Sequence, residues 1–199
     1  MHLLPSFFWA GALLGMDAED KHMSRPSWFS KLYWSHFGKP SEDRALVKHL
    51  LQTPVSSIVE FGVGDCQRIR RIAKMVQAAD GVEQIRYVGT DEFEAANEPS
   101  GHISLKQAHQ IAGSLGFKVT LMPGDVASAA PRVAHKVGAS DLIIVNGGMD
   151  ASQPANGPLA AWLDHLCHEQ TSLFASREVG GQLVQINLRQ FADSAARAA

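Results

Sequence analysis

Little in this sequence is extreme, and each shortage removes a class of protein. Only two cysteines, Cys66 and Cys167, occur among 199 residues. That excludes a disulfide framework and also a structural zinc site, which needs about four ligands at short spacing. Neither sign of charge dominates: 18 Lys and Arg stand against 20 Asp and Glu, a net charge of −2 with His neutral and a pI near 6.5. No global field exists to collect a nucleic acid or an anionic membrane, so a polyanion would need a local patch. Long apolar runs are missing too. The opening stretch Leu3 to Leu14 is 12 residues long, short of the roughly 18 a bilayer span requires, and Pro5 interrupts it. No Lys or Arg precedes Lys21, so the basic start of a secretion signal is absent, and the opening reads as an N-terminal helix or arm. Internal repeats and low-complexity linkers are absent as well. A reducing cytoplasm is the expected compartment, with no membrane association. The 45% hydrophobic content fills one domain's core and excludes a disordered chain.

What is present is an alternation of short apolar runs with helix-period segments. Ser56 to Phe61 (SSIVEF) is a strand that stops at Gly62, and Ile69, Ile72, Ala73 and Val76 then fall on one helical face. Ile85 to Thr90 is a second strand ending at Asp91, followed by the stripe Leu105, Ala108, Ala112, Leu115 and a C′ glycine, Gly116. Phe117 to Met122 is a third strand. Asp141 to Val145 is a fourth, and its nearly continuous apolar run fits a strand covered on both faces. A helix at Leu159 to Leu166 and a fifth strand at Thr171 to Ala175 follow. Gln182 to Leu188 reads as a sixth strand, turned back by Gly180 and Gly181 so that this last pair is antiparallel. The fold class is therefore α/β: a mostly parallel sheet with helices on both faces and an antiparallel C-terminal strand.

Residues 1–55 read as an N-terminal helical extension and 56–199 as the α/β unit. Within the extension, Ser41, Glu42 and Asp43 suit an N-cap and acidic first turn. Upstream stand the aromatics Trp28, Phe29, Tyr33, Trp34 and Phe37. Right-handed crossovers place Gly62, Asp91, Asp125 and Asn146 together at the carboxyl ends of the first four strands, where such sheets bind ligands.

The segment Ile58 to Asp65 (IVEFGVGD) is the informative one. Glycines at a strand-to-helix turn let a backbone approach a ligand closely, and the helix that follows offers free N–H groups. An acid, Glu60, precedes the first glycine by two residues, and Asp91 ends the next strand 27 residues after Gly64. A carboxylate at the tip of the second strand can accept from both hydroxyls of a ribose. Asp125 follows the third strand after a glycine.

On these residues the chain resembles the class I S-adenosylmethionine-dependent methyltransferases, whose first motif is an apolar strand, an acid and G-x-G-x-G. The resemblance covers roughly Ser56 to Val145. It implies a Rossmann-like methyltransferase fold and S-adenosylmethionine as cofactor. Glu60, Gly62 and Gly64 would line the methionine and ribose side, and Asp91 would hold the ribose hydroxyls. Asp125 and the backbone of Val126 would face adenine, and Asn146 would sit near the methionine portion or the acceptor. Two departures stand out: the third glycine is Cys66, and six strands are assigned where the family usually has seven. The rival is a nicotinamide-binding Rossmann domain, whose G-x-G-x-x-G would put Gln67 at the third glycine, where its side chain obstructs close approach. A cofactor-binding protein without transferase activity is the other alternative, because no acceptor motif is recognisable.

The remaining chemistry-bearing residues have plainer explanations. Cys66 fills the glycine position rather than acting as a nucleophile. Arg68, Arg70, Arg71 and Lys74 read as the solvated face of an amphipathic helix. His165 and His168, beside Asp164, read as exposed polar groups on a helix. Asp141, Asn146 and Asp150 invite comparison with metal-dependent catechol-type methyltransferases, but an amide stands at the strand end, so no metal is expected. No catalytic residue is assigned, since methyl transfer can proceed by holding a nucleophile against the methyl group. If a base is required, His36 and Asp150 are the candidates. The expected acceptor is a small molecule rather than a nucleic acid, and the apolar arm offers a surface for a homodimer.

Overall fold

A computed structural model of the chain describes residues 41–95, 103–153 and 156–188. The apolar opening, the aromatics from Trp28 to Phe37 with His36, and the Ala-rich tail lie outside the described residues. The strands are β1 (Ser57–Phe61), β2 (Arg86–Asp91), β3 (Lys118–Pro123), β4 (Leu142–Asn146), β5 (Ser172–Ser176) and β6 (Val184–Ile186). The helices are α1 (Arg44–Leu50), α2 (Gln67–Ile72), α3 (Leu105–Ser114), α4 (Val126–Val137) and α5 (Leu163–Leu166). The sheet runs β3-β2-β1-β4-β5-β6. Its first five members are parallel and β6 pairs antiparallel with β5, as the alternation of apolar runs predicts. The strand order reverses at β1 and β4, and the crevice between their carboxyl ends is the switch point of the sheet.

Side-chain alternation along the strands divides the core into two layers. Ile58, Tyr87, Ile144 and Phe174 face one way, against Leu46 and Leu50 of α1, Ile69 and Ile72 of α2, and Ala108 and Ala112 of α3. Val59, Val88, Ile143, Val145 and Leu173 face the other way, against Ala129, Ala130 and Val133 of α4 and Leu163 and Leu166 of α5. Glu60 shares the face of Ile58, and its neighbour across the β1–β2 ladder is Gly89. α3 begins with a reciprocal capping box between Ser104 and Gln107 and ends before Gly116, whose φ is +88°. Among the described residues no helix is long and apolar enough to cross a membrane.

The structure differs from the sequence expectation at several places. The helix α4 is additional: its apolar residues, Val126, Ala129, Ala130, Val133, Ala134 and Val137, keep helical spacing, but Pro131 lies inside it and reads as a breaker. Asp43 rather than Ser41 stands at the N-cap of α1, with no side-chain cap bond, and it is 2% exposed. His168 lies beyond the end of α5, and its Nε2 is 2.9 Å from Asp141 Oδ1. Val184, which strand alternation puts on one face with Ile186, is 46% exposed, while Ile186 is buried.

Asp141 ties the amino ends of β1 and β4 together. Its Oδ2 accepts from the Ser56 N–H at 2.6 Å and the Ser57 N–H at 3.0 Å, and its own N–H donates to Ser57 Oγ at 3.1 Å. Partial burial pushes this carboxyl up, but the Ser56 N–H, His168 and Ser57 outweigh it and hold it below its ordinary value. A depressed folded-state pKa contributes stability above the unfolded value and loses it as pH falls through the folded one. Asp141→Asn is expected to lower unfolding free energy by about 1–2 kcal/mol at pH 7. In urea titrations the gap from wild type should close as pH drops below 3.8; a gap independent of pH contradicts this role.

Candidate functional site

A carboxylate in the middle of an apolar strand must find partners, because burying an unpaired charge is far more costly than burying a methylene. Glu60 is fully buried in β1. The helix that follows its own strand supplies the cation: Arg68, in the first turn of α2, places NH1 3.3 Å from Glu60 Oε1. The Tyr87 hydroxyl donates to Oε2 at 2.7 Å from the neighbouring strand. Burial pushes the Glu60 carboxyl up, and the Arg68 charge and Tyr87 hydrogen bond only partly oppose it. Burial and the Glu60 charge raise the Tyr87 hydroxyl well above its usual value, so it keeps its proton and acts as donor.

Asp43 completes the cluster. Arg68 Nε donates to its Oδ1 at 2.9 Å, and Arg71 donates to its Oδ2 through Nε at 3.0 Å and NH2 at 2.5 Å. Two guanidiniums thus face two carboxylates beneath the β1–α2 turn. The solvated-face reading of this basic run is wrong for Arg68, whose side chain is 7% exposed, and only partly right for Arg71 at 21%. An isolated acid within SIVEF was the available signal that a cation had to turn inward.

Above the cluster the chain passes through three left-handed residues, Gly62, Gly64 and Cys66, with φ of +84°, +58° and +62°. The Gly62 N–H donates to the Thr90 carbonyl at 2.8 Å, which seats the turn on β2. Val63 then packs over Gly89, where a Cβ would lie 2.7 Å from Val63 Cγ2. The Gly64 N–H donates to Asp91 Oδ2 at 2.7 Å, so the acid at the tip of β2 stands against the second glycine. A Cβ on Gly62 would come within 3.0 Å of the Asn146 carbonyl oxygen, whereas one on Gly64 would meet nothing within 4 Å. The first glycine is needed for packing against β4, and the second leaves open space for a ligand.

Asn146 closes the other wall. Its Nδ2 donates to the Gly62 carbonyl at 3.1 Å, and its Oδ1 accepts from the Gly180 N–H at 2.9 Å and from Arg68 NH2 at 3.4 Å. The result is a cleft of about 400 Å³ whose walls include Gly64, Gln67, Arg71, Asn146, Val179 and Gly180. A larger open hollow of about 840 Å³ lies at the opposite end of the sheet beside Cys167, His168 and Leu188. It has none of the glycine and acid arrangement.

Of the sequence-predicted residues, Gly62, Gly64, Asp91 and Asn146 meet at the carboxyl ends of β1, β2 and β4. Glu60 is not exposed to the cleft; it lies below the turn and organises it. Asp125 is the exposed N-cap of α4, accepting from the Ser128 N–H at 2.9 Å, and Val126 begins that helix. The Gly124 N–H donates to the Asp91 carbonyl at 2.7 Å, which holds this turn beside the end of β2. Asp150 is engaged by Ser152 and Arg177, and the Ser152 hydroxyl and N–H are the main causes holding its carboxyl below the usual range, which makes it a weak base. His36 lies outside the described residues.

Cys66 occupies the third glycine position in a glycine-like conformation, yet its side chain is core. Burial, reinforced by the Glu60 charge, pushes its thiol up to about 12, and burial raises Cys167 to about 12 as well. At pH 8 such thiols are ionised to only about 10⁻⁴. Both are therefore expected to react with a disulfide reagent at least a hundredfold more slowly in the native protein than in denaturant. A native thiol that reacts at the rate of free cysteine contradicts this.

No family model matches the chain, and no curated protein matches it in sequence. Solved structures do match. Fibrillarin from Aeropyrum pernix, with natively bound S-adenosyl-L-methionine, is 14% identical over 66% of this chain and 50% of its own, with a TM-score of 0.43. A SAM-dependent methyltransferase from Thiobacillus denitrificans, in complex with S-adenosyl-L-homocysteine, is 19% identical over 75% of this chain and 54% of its own, TM-score 0.43. One from Geobacter sulfurreducens, with the same ligand, is 16% identical over 68% and 47%, TM-score 0.42. The chain spans about half the length of these structures. Its own strand order, five parallel strands as β3-β2-β1-β4-β5 closed by an antiparallel one, is a Rossmann-like α/β fold.

Proposed function

We propose that this chain binds S-adenosylmethionine across the carboxyl ends of β1, β2 and β4 and transfers its methyl group to a small-molecule acceptor. The observation that supports this best is the joining of the E-x-G-x-G turn to Asp91 at the switch point of the sheet, through the Gly64 N–H. Open space over Gly64 fits a ligand that passes close to the backbone. In this reading the Asp91 carboxylate accepts from the ribose hydroxyls, and Gly62, Gly64 and Asn146 border the methionine side. Asp125 and Val126, held beside the end of β2, border the adenine side. When bound, the sulfonium supplies an electrophilic methyl group; the chain's own contribution is to fix the cofactor and orient the acceptor. No general base is assigned.

Residues 56–199 form the binding unit in this reading and 1–55 its extension, whose helix α1 is packed on the unit through Leu46 and Leu50. Two free cysteines and a near-neutral charge support a cytoplasmic protein acting on a small molecule.

Titration calorimetry with S-adenosylhomocysteine and with NAD tests the ligand. The former is expected to bind with micromolar affinity and the latter not at all; the reverse overturns the proposal. Asp91→Ala should weaken S-adenosylhomocysteine at least tenfold. Asp91→Asn, which keeps an acceptor for the Gly64 N–H, should lose less. Transfer of labelled methyl groups to the small-molecule fraction of a cell extract separates an enzyme from a protein that only binds the nucleoside.

A further inference from the structure

The ion cluster beneath the glycine turn does more than neutralise Glu60. Each nitrogen of the Arg68 guanidinium addresses a different part of the chain: Nε donates to Asp43 at 2.9 Å, NH1 to Glu60 at 3.3 Å and NH2 to Asn146 Oδ1 at 3.4 Å. The last contact decides which way the Asn146 amide points. With Oδ1 facing Arg68 and the Gly180 N–H, Nδ2 is left for the Gly62 carbonyl. Turning the amide over would set its NH₂ against two donors and its oxygen against a carbonyl, losing every bond. The single turn Ser41–Asp43 anchors this arrangement twice. Asp43 grips Arg68 and Arg71, while the Glu42 carbonyl accepts from the Leu183 N–H at 2.9 Å, beside the loop that carries Gly180. One short segment therefore holds both walls of the cleft.

We propose that Arg68 is a positioning residue, and that the Ser41–Asp43 strap acts through it to set the affinity of the cleft for the amino-acid end of its ligand. Adjacent strands lie about 4.8 Å apart, so Asn146 on β4 is roughly 10 Å from the tip of β2. A ligand whose ribose rests on Asp91 therefore meets Asn146 with the part that is not nucleoside. The ligand assignment rests on the sulfur-nucleoside reading of the cleft; the amide orientation does not.

The experiment uses the full chain as wild type, Arg68→Lys and Arg71→Gln, with two readouts. By calorimetry, Arg68→Lys keeps the charge but cannot reach three partners, so S-adenosylhomocysteine should bind about tenfold more weakly while adenosine changes less than twofold. Arg71→Gln lies at the more exposed edge of the cluster and both loosens Asp43 and alters one wall of the cleft, so the loss should be three- to fivefold with adenosine again unchanged, and Gly180 exchange, which a lost wall contact alone would not move, shows whether the positioning chain is broken. This second variant decides the matter if Arg68→Lys does not fold. By hydrogen exchange, the Gly180 amide should exchange at least tenfold faster in either variant while Val59 in β1 keeps its protection. Equal weakening of both ligands would reveal a merely structural role, and unchanged Gly180 exchange would overturn the positioning role outright. If the wild type binds neither ligand, the nucleoside reading fails and the Gly180 result still decides the role of Arg68.

Discussion

Glu60 is the constraint on which the rest of the site depends. A carboxylate with no solvent exposure in the central strand of a sheet is tolerable only if cations and donors are brought to it. The period of the strand aims it at the α1, α2 and α3 layer, and the right-handed crossover after β1 delivers α2 to that same layer. Arg68 then arrives within reach because it lies in the first turn of that helix. Its remaining two nitrogens recruit Asp43 from before the sheet and Asn146 from β4, so the cost of one buried charge is offset by a network that joins four separate parts of the chain. Breaking such a network from one side costs about 3–5 kcal/mol, far more than any surface ion pair.

That network explains the shape of the cleft as well as its stability. The glycine turn is held from β2 through Thr90 and Asp91, from β4 through the Asn146 amide, and from below by Val63 settling on Gly89. Three alternate residues in left-handed conformations have little freedom once those contacts are made. The third of them is cysteine rather than glycine, and a left-handed conformation at a residue with a side chain costs on the order of 1 kcal/mol. Burial of the thiol within the core cluster accompanies that conformation. The glycine turn is therefore preorganised, its backbone groups already paired with Thr90, Asp91 and Asn146.

The sheet was legible in the sequence because its strands are short apolar runs separated by clear turn residues, and the antiparallel partner of β5 was marked by Gly180 and Gly181. Asp91 and the glycines were legible because an acid at a strand tip and a strand-to-helix glycine turn each have one local meaning. Arg68 and Asp43 were not. Both look like surface charges in a one-dimensional reading, since an arginine beside Arg70 and Arg71 carries no sign of which member turns inward. That information lies in the crossing of α2 over β1, which only the folded chain contains. The helix α4 escaped for a different reason: Pro131 reads as a helix breaker within a stripe that otherwise keeps helical spacing.

The central claim is that one preorganised cleft, walled by Gly64 and Asn146 with Asp91 behind the glycine turn, takes a sulfur nucleoside with its ribose at β2 and its amino-acid end at β4. A crystal structure of the chain with S-adenosylhomocysteine tests it most directly. The expected result is ribose hydroxyls on the Asp91 carboxylate and the amino-acid end beside Asn146, with the Arg68 contacts to Asp43 and Glu60 intact. A nucleoside lying in the hollow beside Cys167 and Leu188, or reversed so that its base covers Asn146, would contradict it.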